Sequence, residues 1–400
     1  MLLLATKVWE QRKLGEIGTT YSGLSGKNKS DFEKGDSNFI TFLEVLNNPI
    51  LKNIDLTNKV EIKENEHQNK VKRNDILFNT SSETPEEVAT STIVDVNQDN
   101  LYLNSFCFGF RPNVQFSNYY IGYYLRSNHF RNRVFCLAQG ISRYNISKKS
   151  LIKLKLSLPK LEEQDKIGKI FNQVELLLTL YAKKSSCLDS CIAYFIRILY
   201  DDPQFFKQKN VQNSIIKSFK LDDILIKNNA KNKDLSILNV ESISNKKGFI
   251  SQKEQFDNYR VASKDLSNYY VIRPKDFAYN PSRINVGSIA YKNPNEIKGI
   301  VSPLYVSFKC NNDIVLDKYL WYWFKSTNFE HQRVRLSEGG VRDTLSFNQL
   351  SKMKISIPSF EIQRQTINLL EILIQYKEEV DLKLNNLKLI KNTLLQNMFL

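Results

Sequence analysis

Histidine is nearly absent. The three among 400 residues, His67, His129 and His331, stand alone, without a His-x-x-x-His spacing or a serine or aspartate context that would mark a metal site or a nucleophile relay. A glycine-rich phosphate loop is missing too: Gly26-Lys27 is followed by Asn28, and position 21, where such a loop needs glycine, is Tyr. The five cysteines (Cys107, Cys136, Cys187, Cys191, Cys310) form an odd, scattered set without the paired spacing of a zinc framework. Only Cys187 and Cys191 share a helix face, and all five are expected to be buried structural thiols. No apolar run approaches the ~18 residues of a membrane span, and the start Met1-Leu-Leu-Leu-Ala-Thr-Lys-Val-Trp9 is too short for a signal-peptide core. The expectation is a cytoplasmic chain with no membrane partner and no cofactor or metal of its own.

What is present is positive charge and ordinary globular composition. Lysine and arginine number 57 against 42 aspartates and glutamates, a formal net charge of +15, while 42% of residues are hydrophobic and 25% charged. Such a chain folds, and its length allows two to four domains. The charge is a property that selects partners, and polyanions come first.

The sequence is also written twice. Asn118-Tyr-Tyr-Ile-Gly-Tyr-Tyr-Leu-Arg-Ser-Asn-His-Phe130 matches Asp317-Lys-Tyr-Leu-Trp-Tyr-Trp-Phe-Lys-Ser-Thr-Asn-Phe329, with Tyr120/Tyr319, Tyr123/Tyr322, Ser127/Ser326 and Phe130/Phe329 identical at an offset of 199 residues. Pro159/Pro358, Glu162/Glu361 and Gln164/Gln363 keep that register, and Asp75/Asp276 and Asn79/Asn280 align at 201. Each half opens with short β-branched and aromatic runs between turn clusters (Phe39–Leu43, Ser91–Val96, Ser105–Phe110; Gly287–Tyr291, Leu304–Phe308), which read as strands. The aromatic segments 118–134 and 317–334 each read as one helix packed on the sheet, their rings in the core.

Beyond Pro159 the pattern changes to a heptad ladder: Ile167, Phe171, Val174, Leu178, Tyr181, Ser185, Leu188, Ile192, Phe195 and Leu199. Adding the repeat offset gives Thr366, Leu370, Leu373, Lys377, Val380, Leu384, Leu387, Lys391, Leu394 and Met398. A helix from near Glu162 to near Tyr200 is roughly 55 Å long at ~1.5 Å per residue, and its seam needs a partner. The other copy, running antiparallel, is the simplest one. The fold class is therefore α+β: two pseudo-repeated globular α/β domains, each followed by a long helix, the two helices pairing as an antiparallel coiled coil.

No catalytic constellation emerges. Tyr279-Asn-Pro-Ser282 approaches the Asn-Pro-Pro-Tyr/Phe tetrad of amino-methyltransferases, but position 282 is Ser and the other copy, Phe78-Asn-Thr-Ser81, keeps only the Asn. Polar and basic loops recur instead at equivalent places, and these residue types neutralise phosphates and read base edges. The candidates for DNA contact are Lys27, Asn28, Lys29, Asn79, Ser81, Ser82, Ser142, Arg143 and Tyr144 in the first half, and Asn280, Ser282, Arg283, Asn285, Arg342, Asp343 and Thr344 in the second.

Trp9-Glu-Gln-Arg-Lys-Leu-Gly15, Tyr21-Ser-Gly-Leu-Ser-Gly-Lys-Asn-Lys29 through Phe39–Leu43, and the two Pro…Glu-x-Gln lead-ins to the long helices give the whole chain a resemblance to the DNA-specificity (S) subunit of Type I restriction-modification systems. The resemblance implies target-recognition domains over 1–158 and 203–357 and spacer helices over 159–202 and 358–400, which also dock partners. Each domain would read one half of a bipartite double-stranded DNA target. The chain would be non-catalytic, with two methyltransferase (M) subunits binding S-adenosylmethionine and restriction (R) subunits using ATP and Mg as partners. One departure stands out: Lys377 and Lys391 fall on the projected seam. Either the seam rotates to use Ile374, Tyr376 and Ile390, or the lysine stems snorkel at the methyltransferase interface. The competing readings are a coiled-coil scaffold with two protein-binding heads and a self-contained methyltransferase or nuclease.

Overall fold

The computed structural model describes residues 9–201, 216–245, 248–251, 265–337 and 344–399. Two compact units divide the chain, one comprising 1–183 and 381–400, the other 184–380.

In the first unit, five strands lie in the order Gly18–Ser22, Cys107–Pro112, Ile76–Asn79, Ser91–Val94, Ile50–Leu51, antiparallel except for the last pair. Ile76–Asn79 is buried at every position, so its near-continuous apolar run reflects packing on both faces. Phe78, Phe108 and Phe110 pack there with Tyr120, Tyr123 and Tyr124 of helix Asn118–Tyr124. A smaller sheet joins Lys59–Val60, Phe32–Ile40 and Leu101–Leu103. The strand expected over 39–43 stops at Ile40, because Thr41 caps a short helix, Phe42–Asn47, with its hydroxyl accepting from the Glu44 N–H.

The second unit repeats the framework. Leu225–Lys227, Val306–Cys310, Phe277–Tyr279 and Ile289–Tyr291 form a sheet in the corresponding order. Beside it lies a different insertion, the four-stranded sheet Gly248–Ser251, Val240–Ser244, Gly299–Val301, Tyr270–Ile272. In each unit a strand pair ties the start of the copy to its end: Glu10–Lys13 with Lys155–Leu158, and Lys217–Lys220 with Lys354–Ile357.

The aromatic segments do not form single helices. Each breaks in two, Asn118–Tyr124 with Asn128–Phe135, and Asp317–Trp323 with Thr327–Leu336. The break falls at Ser127 and Ser326, whose hydroxyls accept from the Phe130 and Phe329 N–H groups and so cap a new helix. The repeated Ser and Phe are thus a cap and the third residue of the helix it opens.

Gln164 and Gln363 explain the other repeated motif. Gln164 is buried; its Oε1 accepts from the Ser117 N–H (3.1 Å) and its Nε2 donates to the Pro159 carbonyl (2.9 Å). Gln363 does the same with Leu316 (2.8 Å) and Pro358 (3.0 Å). In both copies one amide joins the turn before the long helix to the N-cap of the aromatic helix.

The long helices run Leu161–Asp201 and Phe360–Asn397. Within the first unit, Phe171 stacks on Tyr123 (4.6 Å) and Phe399 (5.4 Å), and Lys391 pairs with Glu175. Within the second, Lys377 pairs with Asp189 (3.3 Å), and Leu370 shares a core with Ile192, Ile196 and Leu199. Rising numbers on one helix meet falling numbers on the other, so the pairing in each unit is antiparallel. Of the expected seam, Ile167, Phe171, Val174, Leu370 and Val380 are buried, while Leu178, Tyr181, Leu188, Ile192, Leu373, Leu384, Leu387 and Leu394 are half-buried. Of the residues a rotated seam would use, Ile374 is half-buried and packs on the second unit's core, whereas Tyr376 and Ile390 are exposed, and Lys377 and Lys391 have acidic partners on the other helix. The cysteines also differ from expectation. Cys107 and Cys310 are buried, their thiols pushed up to about 12 by burial, but Cys136 and Cys187 are exposed and Cys191 is half-buried.

Candidate nucleic-acid interface

Two loops meet in each unit through the same backbone bond. In the first, the Ile146 N–H donates to the Thr80 carbonyl (3.0 Å), fastening the 139–145 hairpin to the loop after strand Ile76–Asn79. In the second, the Leu345 N–H donates to the Pro281 carbonyl (3.1 Å), bringing Thr344 beside the loop after strand Phe277–Tyr279. The loop after the strand and the segment around 144–146 are thereby neighbours in the first unit, and the loop after Phe277–Tyr279 lies beside Thr344–Leu345 in the second.

The first unit's candidates divide by burial. Asn79, Ser81 and Ser82 are buried, a correction to their assignment as DNA contacts. Asn79 Nδ2 donates to the Glu87 carbonyl (2.9 Å), Ser82 Oγ to Glu87 Oε2 (2.7 Å), and Ser81–Ser82 pairs with Tyr144–Asn145. Asn79 Nδ2 and Ser82 Oγ thus hold the loop, and Ser81 is held in it through the backbone. Lys27 is corrected likewise: its side chain is buried, with the ammonium paired to Glu66 and donating to the Glu61 carbonyl (2.6 Å). Asn28, whose N–H donates to Asp31 Oδ2 (2.7 Å), and Lys29 remain exposed.

The hairpin presents its tip. Reciprocal bonds between Gln139 and Asn145 (2.9 and 2.8 Å) close it. Gly140 stands at φ 139°, where a Cβ would lie 2.1 Å from the Arg143 carbonyl oxygen, so the turn requires glycine. Ser142 and Arg143 are exposed, and Tyr144 is half-buried. The Arg143 guanidinium lies 5.9 Å from the ring centre of Phe106.

In the second unit, Ser282, Arg283 and Asn285 are exposed and Asn280 is half-buried, its Oδ1 accepting from the Ser282 N–H (3.1 Å). Gly287, at φ 82°, ends the short helical turn Ile284–Val286. Thr344 is half-buried; Arg342 and Asp343 lie outside the described residues.

Many cations are structural and unavailable to a phosphate backbone. Arg111 binds Asp75 through Nε (2.9 Å) and Nη2 (2.6 Å), and this bond raises its pKa. Arg126 donates to the carbonyls of Ser91, Val45 and Asn48, and Arg131 to those of Glu86 and Val88; burial lowers both to about 10. Lys29, Arg143, Lys149 and Arg283 stay exposed around the loops. Sequence reading missed Phe106, which bonds to the Thr80 loop and lies under Arg143, and Leu304 in the second unit, both large, apolar and exposed. The visible signal was an apolar residue just before a strand inside a turn cluster. Among the described residues no group of three or more His, Cys, Asp or Glu side chains could hold a metal ion, and no helix is long and apolar enough to cross a membrane.

The sequence profile of the Type I restriction modification DNA specificity domain matches residues 6–190. The fold is similar to the S subunit of the Type I restriction-modification system of M. genitalium, at 15% identity and TM-score 0.60, covering 100% of this chain and 98% of that one. It is also similar to a chain from a structure concerned with complex assembly and conformational transition of the type I R-M system, at 14% identity and TM-score 0.58, covering 97% and 96%. No curated protein matches the sequence significantly.

Proposed function

From the premise that residues 6–190 belong to the Type I restriction modification DNA specificity domain family, we propose that the whole chain is a specificity subunit whose two units each read one half of a bipartite DNA target. The observation that carries this reading is the repeated loop clamp, Thr80 with Ile146 and Pro281 with Leu345, with exposed Arg143 on the hairpin partner of the clamp in one unit and exposed Arg283 on the strand-end loop in the other. Guanidinium groups at such positions suit phosphate contact and guanine recognition. The net charge of +15 supplies the long-range attraction.

In this reading the long helices fix the gap between half-sites and dock methyltransferase subunits, two per complex, with restriction subunits joining them. Exposed Leu176, Leu180 and Leu389 in the first unit, and Ile372, Tyr376 and Tyr194 in the second, support docking, since apolar side chains on a paired helix invite a further partner. Bond-making chemistry, with S-adenosylmethionine, ATP and Mg, belongs to those partners.

The test is binding of the chain, assembled with its methyltransferase subunit, to a pool of random duplexes at low and moderate salt. The reading expects a split consensus with a fixed gap and an affinity that falls steeply with salt. Assembly without any sequence preference would instead favour a scaffold with two protein-binding heads.

A further inference from the structure

Both units carry an exposed apolar residue at the same framework turn. Phe106 is 57% exposed and Leu304 is 80% exposed, although each stands two residues before a side chain in the sheet, Phe108 and Val306. The strand registers make the positions equivalent: Phe108 pairs with Phe78 as Val306 pairs with Tyr279. The turns are built alike, with the Phe106 N–H donating to Asn104 Oδ1 (2.9 Å) and the Leu304 N–H donating to Ser302 Oγ (3.3 Å). A side-chain acceptor two residues upstream holds the apolar residue at the tip in both copies.

The surroundings indicate what covers it. The Phe106 carbonyl accepts from the Thr80 N–H (2.9 Å), which places this turn against the clamped loop, and the Arg143 guanidinium lies over the Phe106 ring. Ile141, at the tip of the hairpin, is 95% exposed. In the first unit an apolar tip beside an exposed arginine fits a surface that is polyanionic at its rim and apolar at points within. The major groove of DNA has that character, because the thymine 5-methyl group is its apolar feature. A protein partner would not call for the flanking cations.

Resting on the specificity-subunit reading, we propose that Phe106 and Leu304 are base-contacting residues, one per half, each seated on a thymine 5-methyl group in the major groove. Neither side chain supports the core, so their removal leaves the framework intact.

The experiment is a binding selection from random duplexes using the full chain with its methyltransferase subunit, in wild-type, Phe106→Ala and Leu304→Ala forms, with thermal melts confirming the fold. The expected result is a thymine in each wild-type half-site, lost from one half in Phe106→Ala and from the other in Leu304→Ala. Replacing that thymine by deoxyuridine should weaken wild-type binding about fourfold, the effect of burying one methyl group, and leave the matching variant unchanged. Unchanged motifs in both variants, or wild-type binding indifferent to deoxyuridine, would overturn the proposal while leaving the two-reader account standing. No motif in the wild type would overturn both.

Discussion

Gln164→Ala removes two bonds from the interior of the first unit. The Ser117 N–H loses its acceptor and the Pro159 carbonyl its donor, in a place where Gln164 and Ser117 are both buried. Each bond contributes about 1 kcal/mol, and a buried group left without a partner costs about 1–3 kcal/mol, so the loss is about 2–4 kcal/mol. Gln363→Ala should cost at least as much, because Gln363 Nε2 also reaches the Ile314 carbonyl (3.4 Å). Hydrogen exchange is the assay that resolves the effect. In Gln164→Ala the amides of 116–121 should lose protection while those of 315–320 keep theirs, and Gln363→Ala should show the reverse. Each unit is then the control for the other. Equal protection in both segments of either variant would refute the assignment of this glutamine as the tie between the helix lead-in and the aromatic helix.

Further outcomes follow from charges held inside each unit. Lys292 donates to both oxygens of Glu241 (2.5 and 2.7 Å) with both side chains buried, and Gly299 leaves room for the carboxylate, since a Cβ there would lie 2.5 Å from it. Either Glu241→Gln or Lys292→Met alone should cost about 3–5 kcal/mol in urea unfolding, and Glu241→Leu with Lys292→Met much less. On the seam, Lys391→Ala strands Glu175 and should lower stability by about 1 kcal/mol, while Glu175→Leu with Lys391→Leu should raise the melting temperature, as apolar seam positions favour pairing. Arg333 beside Glu330 holds that carboxyl below the usual range. Its contribution is therefore present above its ordinary pKa and is lost as pH falls through the lowered one. NMR titration should show the Glu330 midpoint returning to the ordinary range in Arg333→Gln.

The fold was legible where residues recur. Tyr120/Tyr319, Ser127/Ser326 and Gln164/Gln363 could be aligned because each does the same work twice, as core ring, cap or tie. The heptads were legible because a seam exposes its period directly. The break inside 118–134 was not, because Ser127 interrupts an apolar run by one hydroxyl and only the cap geometry reveals a second helix. The seam lysines were ambiguous for another reason: their acidic partners, Asp189 and Glu175, lie on the other helix, and heptad counting on one helix does not see them.

The candidate interface was legible at the level of loops and not of side chains. Polar composition marks a loop, but it does not separate Asn79, Ser81 and Ser82, which are buried in it, from Ser142 and Arg143, which face solvent. Lys27 looked like the cation of an exposed turn, yet Glu66, 39 residues further along, claims it. Phe106 was read as part of a strand, and only the turn made by Asn104 turns it outward.

The central claim, two readers for two half-sites, is tested most directly by mapping modified adenines in an unmethylated host that expresses the chain with its methyltransferase subunit. The wild type should give a split motif with a fixed gap, Arg143→Ala should relax one half, and Arg283→Ala the other, each by about 1–3 kcal/mol of discrimination. A continuous motif, or two variants that relax the same half, would contradict the account.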